Sequence, residues 1–287
     1  MQNLTKILHF KKIVMRKILL GINLFVFMFS YSQGIKFTYD YKLKLGDSIT
    51  SQNVELYNEN GKSYFYSDAK YKTDSILNDR EKKMELTGNK MNFKNLPNDE
   101  LVYFLEKQNS TGQVDFFSNE FEKNLKYSEE NKFDWILDDD GGKKILNYTV
   151  KKATIKKYGK TFIAWYCPDI PINDGPYKFY GLPGLIFEIY DIKFNHHFTL
   201  IGIEKGNIDI NLLFRKQKFI EVDKKKYSDF RNQYKKDPFQ KIKSLIASTG
   251  ISEVIGSSGN NINMTKIIAE REKKVIEKYK KDNQIEQ

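Results

Sequence analysis

Cys167, Glu188, Asp191, His196 and His197 are the side chains of this sequence best suited to chemistry, and they fall close together in the chain. A thiol can be a nucleophile, but Cys167 follows the apolar run Phe162 to Tyr166, where a cysteine reads as a small buried hydrophobe. Glu188 and Asp191 could divide acid and base work as paired carboxylates do in glycosidases, a pairing that a chain of this size also offers by chance. The two histidines are adjacent, so in a strand they point to opposite faces and one metal would not take both. No G-x-S-x-G elbow, P-loop or H-E-x-x-H occurs, and Gly256-Ser257-Ser258-Gly259 reads as linker. The residues therefore specify no metal, no cofactor and no catalytic group. An enzyme would need a cleft that holds Glu188 or Cys167 with a base in hydrogen-bond reach.

The elements that position these residues read as mainly β. The 287 residues are 40% hydrophobic and 14% aromatic, with 21 Phe and 18 Tyr, a composition that favours half-buried pleated surfaces. Between Ile35 and Leu45 apolar and polar residues alternate with a period of two, as in a strand with one wet face. Lys62 to Tyr66, Leu101 to Glu106 and Val114 to Phe117 continue an antiparallel series, and Thr73 to Glu85 fits either a loop or a short helix. Phe133 to Leu137 reads as a strand that ends in a turn at Asp138 to Gly142, with a return strand from Ile145 to Ile155. Tyr158-Gly159-Lys160 is a hairpin turn into Thr161 to Cys167, and Leu185 to Tyr190 with His197 to Ile203 makes a further hairpin. Pro168, Pro171 and Pro176 interrupt the sheet with a stiff extended excursion. Helical spacing begins near Asp223, Thr265 to Asn283 reads as a charged helix, and Ser248 to Asn263 as a flexible connector.

The N-terminus reads as an export signal. Met15-Arg16-Lys17 is basic, Ile18 to Phe29 is apolar but too short to span a bilayer, and Ser30 and Ser32 fit a cleavage site before Gln33. Translation starting at Met15 would give this signal its usual length. Three regions follow: residues 1–32 as signal, 33–222 as a β-sheet domain, and 223–287 as a helical, partly flexible region. The formal net charge of +11 loses Lys6, Lys11, Lys12, Arg16 and Lys17 with the signal, and the remaining lysine runs are interleaved with acids. Nucleic acid is not an expected partner, and the mature chain contains no transmembrane span. A sole cysteine excludes an intramolecular disulfide, so stability rests on core packing.

Ala164-Trp165-Tyr166, then Ile170 to Lys178, then Phe179-Tyr180-Gly181-Leu182-Pro183-Gly184-Leu185-Ile186 resembles the GLPGLI family of exported Bacteroidota proteins. Val150 stands where many relatives are expected to carry cysteine. The resemblance implies an envelope protein in the periplasm or outside the cell, of undefined activity, with genes often near TonB-dependent outer-membrane receptors. It also implies a curved antiparallel sheet, comparable with the half-barrel of periplasmic lipoprotein carriers.

From the residues themselves, Leu182 to Leu185 suits a type II turn, with Pro183 and Gly184 at its centre. Leu185, Phe187 and Ile189 should then face the core, with Ile186, Glu188 and Tyr190 opposite. Gly175, Pro176, Gly181, Leu182, Pro183, Gly184, Leu185 and Ile186 form the structural motif. Trp165, Asp174, Tyr177, Phe179 and Tyr180 are the candidate contacts for a lipid or peptide ligand on the proline loop and the concave sheet face. The functional expectation is a non-catalytic binding or carrier protein, with an accessory partner of an outer-membrane receptor complex as the alternative.

Overall fold

The structure is a computed structural model and describes residues 33–88, 95–97, 101, 103–119, 123–215, 217–255, 261–280 and 285–286. The export signal and its cleavage site lie outside the described residues. The described residues from Gly34 onward form one compact unit.

The first run of strands is β1 (Ile35–Leu45), β2 (Ser48–Glu59), β3 (Lys62–Ser67), β4 (Tyr103–Gln108), β5 (Gln113–Ser118) and β6 (Leu125–Glu130), with α1 (Asp68–Thr87) between β3 and β4. The second is β7 (Ile136–Ile145), β8 (Tyr148–Lys157), β9 (Lys160–Cys167), β10 (Leu185–Asp191) and β11 (His196–Lys205). After these come α2 (Asn211–Phe214), β12 (Ile220–Glu221), α3 (Lys224–Lys236), α4 (Gln240–Thr249), the small pair β13 (Glu253–Ile255) and β14 (Asn261–Asn263), and α5 (Met264–Lys280). The large sheet has 12 strands in the order β12-β6-β5-β4-β3-β2-β1-β11-β10-β9-β8-β7. Its pairings are antiparallel except for the short β12, which joins β6 in parallel. The architecture is mainly β with C-terminal helices, as the sequence predicts. The sheet stays open, with edges at β12 and β7, and neither closes nor curls strongly. The half-barrel comparison therefore holds for the antiparallel order and not for the curvature.

Alternation decides what each face buries. Phe37, Tyr39, Tyr41, Val54, Leu56, Phe65, Leu105 and Phe116 belong to the main core, whereas Tyr57, Tyr64, Tyr66, Phe104 and Phe117 form a second cluster. These residues interleave along β2 to β5, so this half of the sheet is buried on both sides. Phe214 and Phe219 pack edge-on against Phe117 at 5.2 and 5.1 Å in the second cluster. Tyr227 of α3 covers the main face at Phe116 and Tyr127.

Several boundaries differ from the sequence reading. The ambiguous stretch is the helix α1, started by Ser67, whose side chain accepts from Lys70 N at 3.1 Å, and ended at Gly88 with φ 71°. The Asp138 to Gly142 cluster is a register shift inside β7 rather than the end of a strand. The reversal comes later, at Leu146 and Asn147, both with positive φ. The connector near Ser248 contains β13 and β14, while residues 256–260 lie outside the described residues. No helix among the described residues is long and apolar enough to cross a membrane.

Candidate binding site

The proline loop between β9 and β10 lies against the main core instead of standing at the surface. Phe179 packs on Phe162 at 4.9 Å, Tyr177 meets Phe65 edge-on at 6.3 Å, and Leu182 joins the same cluster. Asp174, Tyr177 and Phe179, read from sequence as candidate ligand contacts, are buried. Tyr180 is half-buried: its hydroxyl donates to Asn131 O, and its carbonyl accepts from Trp135 Nε1 at 2.8 Å. Burial of these rings removes more apolar area from water than an exposed loop would, which is why the loop folds inward.

Two buried lysines fasten it. Lys107 Nζ donates to Asp174 Oδ1 at 2.5 Å and to Gly175 O at 2.6 Å, and both charged residues are almost fully buried. The second Asp174 oxygen accepts from Asn109 Nδ2 at 3.1 Å and Asn58 Nδ2 at 3.4 Å. Burial pulls the Lys107 ammonium below its ordinary pKa, and the adjacent carboxylate works against that shift. Lys178, with a fully buried side chain, pairs with Glu129 and Glu286 and donates to Tyr127 Oη at 2.9 Å. Its ammonium also lies 5.1 Å from the Phe116 ring centre and 5.3 Å from that of Tyr177.

The motif itself proves sterically exact at one point. Gly184 has φ 151°, and a Cβ there would stand 2.1 Å from Cys167 O. Its N–H donates to Leu182 O at 2.8 Å, which makes a three-residue turn rather than the expected type II turn. A register shift between Ile186 and Glu188 then breaks the expected alternation. Ile186 joins Leu185, Phe187 and Ile189 in the core, and Tyr39 Oη donates to its carbonyl at 2.6 Å. Cys167 is a buried free thiol, as the apolar-strand reading has it.

On the opposite face of β9, Trp165 stands across from Glu188 and Lys152. Glu188 accepts from Lys143 Nζ and from His197 Nε2 at 2.8 Å. A carboxylate only accepts, so Nε2 carries the shared proton. Burial by itself raises the Glu188 pKa, but the bonds from His197 and Lys143 outweigh it and hold the carboxyl below its ordinary range. Thr199 Oγ1 lies 3.1 Å from the same histidine nitrogen, and Lys143 Nζ sits 4.4 Å from the Trp165 ring centre. His196 faces the other way and meets Tyr41 Oη through Nδ1 at 2.9 Å. The two histidines thus separate as strand geometry requires.

The Trp165 indole nitrogen is shielded from solvent and has no hydrogen-bond partner among the described residues. Beside it, Tyr190 and Phe194 stack at 4.6 Å, and Ile192 and Phe194 are exposed. Of the candidate contacts, the structure brings Asp174, Tyr177, Phe179 and Tyr180 into one buried loop and leaves Trp165 on the other face. Sequence reading gave no role to Lys107, Lys178, Glu129, Lys143 and Glu286, because lone lysines and glutamates carry no periodic signal. The one available sign was Lys178 between two aromatic residues. Among the described residues no group of three or more His, Cys, Asp or Glu side chains could hold a metal ion.

No curated protein matches the chain. Among solved structures, PNGF-II in the C2 space group aligns with a TM-score of 0.50 and 19% identity, over 69% of this chain and 32% of that one. PNGF-II in the P21 space group aligns with a TM-score of 0.49 at 19% identity, over 69% and 33%. The chain thus spans about a third of PNGF-II, and at that identity the likeness shows the fold alone. Residues 157–188, which run from the Tyr158 hairpin through the buried proline loop to Glu188, match the family described as "Protein of unknown function (Porph_ging)". Over that stretch the chain matches the model of the GLPGLI family of Bacteroidetes proteins.

Proposed function

We propose that the chain works as an exported, non-catalytic protein of the cell envelope that binds a peptide on the outer sheet face around Trp165. The observation that carries this reading is the shielded Trp165 Nε1–H without an acceptor, since a buried donor left unpaired costs about 1–3 kcal/mol. A peptide carbonyl would accept from it once the half-exposed Lys143 side chain swings off the ring. Glu188 and Lys143 supply the complementary acceptor and donor for main-chain groups, and the exposed Phe194 extends the apolar surface.

The non-catalytic part rests on the state of the candidate groups. Glu188 is held ionised between two donors, which suits structure or recognition better than proton transfer near neutral pH. Cys167 is fully buried and ends the apolar strand β9 in the core. A second reading, an accessory partner of an outer-membrane receptor complex, draws support from exposed Ile136 and Leu137 on the free edge strand β7.

The test is native mass spectrometry of the chain purified gently from its own cells, alongside a Trp165→Phe variant that keeps a ring and removes the N–H. A peptide mass on the unaltered chain that disappears from the variant supports the reading. Bare masses in both, or the same adduct in both, reject it, and co-purification of a large protein moves the weight to the accessory role.

A further inference from the structure

The main face of the sheet holds a small site whose occupant comes from the far end of the chain. Glu286 accepts from Tyr177 Oη at 2.7 Å, from Lys224 Nζ at 2.6 Å and from Lys178 Nζ. One residue earlier, Ile285 is buried in the main core, and its carbonyl accepts from Lys160 Nζ at 3.1 Å. Ile285 and Glu286 lie in neither a helix nor a strand. Their described attachments are one carboxylate, one carbonyl and one apolar side chain, the attachments of a docked dipeptide.

The charges favour an occupant of this kind. The proline loop and α3 bring two ammonium groups, Lys178 and Lys224, to a single carboxylate of β6, Glu129, which pairs with both. Without Glu286 the cluster keeps one excess positive charge among the rings of Phe116, Tyr127 and Tyr177, where an unbalanced ion is costly. Glu286 supplies the balancing charge, and its pKa is held low by Lys178 and Lys224 against the effect of burial. The site is within reach of solvent, because the Lys224 side chain is 43% exposed and that of Glu286 17%.

We propose that Tyr177, Lys178, Lys224 and Lys160 form a carboxylate-reading peptide site that Ile285–Glu286 fills in cis. A separate peptide of the same pattern, an apolar residue followed by glutamate, takes the same place when that segment leaves. The site is distinct from the Trp165 face and stands whether or not that face binds a ligand. A tethered occupant competes at an effective concentration of about millimolar, so the closed chain rejects dilute peptides. Release of the segment turns binding on.

The probe is the fluorescently labelled, end-blocked peptide Asn-Gln-Ile-Glu-Gln, which is the sequence of residues 283–287. It is titrated by anisotropy against the unaltered chain, a chain ending at Lys280, and the full chain carrying Glu286→Gln. The shortened chain should bind the peptide at least about tenfold more tightly than the unaltered chain. Replacing the peptide's glutamate by glutamine, or adding Lys178→Met to the shortened chain, should weaken binding at least about tenfold. Should the shortened chain fail to fold, the Glu286→Gln chain decides, with the same tenfold gain expected over the unaltered chain. Equal binding of the glutamine peptide, binding indifferent to Lys178→Met, or no binding to a folded variant overturns the proposal. Loss of the native fold in both variants overturns it too, since Ile285–Glu286 would then be a fixed part of the core.

Discussion

Tyr177 Oη donates a 2.7 Å hydrogen bond to Glu286 Oε1, a residue 109 positions further along the chain. Tyr177 has φ 54°, a left-handed backbone that turns its ring back towards the core. The bond therefore ties the GLPGLI loop to the last described segment. Tyr177→Phe should keep the ring packing and lose this contact to an ionised group, at a cost of about 1.5–3 kcal/mol in urea unfolding. A cost near zero would show that the phenol adds nothing to loop closure.

The Lys107–Asp174 pair is the stronger fastening. Removing one partner leaves an uncompensated buried charge, so Lys107→Met or Asp174→Leu should each cost about 3–5 kcal/mol. The double variant Lys107→Met, Asp174→Leu should lose clearly less than the two single losses together, because both charges leave. Additive losses in denaturant midpoints would deny the coupling.

Glu55 gives stability a pH dependence. Burial raises its pKa from 4.5 to about 7, although Thr38 Oγ1 donates to it at 2.9 Å and Lys36 also favours the charged form. The native state binds the proton more tightly than the unfolded chain. Its contribution is therefore full below pH 4.5 and is lost as pH rises from there through about 7. The loss should be on the order of 2–3 kcal/mol by pH 8, and Glu55→Gln should abolish this part of the slope. Parallel stability curves for the two proteins between pH 5 and 8 would count against it.

Gly184 and Gly61 make a matched pair. Both have positive φ, but a Cβ at Gly61 meets nothing within 4 Å, while one at Gly184 meets the Cys167 backbone. Gly61→Ala should cost about 1 kcal/mol, the backbone penalty alone. Gly184→Ala should cost at least about 2 kcal/mol more, because carbonyl and strand must shift. Equal losses in thermal unfolding would mean that the motif's second glycine serves only its dihedral angle.

Short-range stereochemistry was legible from the residues alone. The alternation of β1 names both its length and its buried face, the Tyr158-Gly159 pair marks a hairpin, and adjacency separates His196 from His197. Each of these follows from the two-residue period of a strand or the φ preference of a turn, which need no partner to be defined. The GLPGLI resemblance was likewise legible from its own residues, and residues 157–188 match that family's model. What the tertiary structure decided was where the loop goes and what balances its charges. An aromatic loop suits a surface or a core equally well until the sheet offers a face to cover. Lys178 finds Glu129 and Glu286, and Lys107 finds Asp174, because packing brings distant segments together and a buried ammonium requires a counter-charge. The shift at Ile186 arises in the same way: β10 must fit β9 and β11 at once, and one extra residue in the ladder reconciles them.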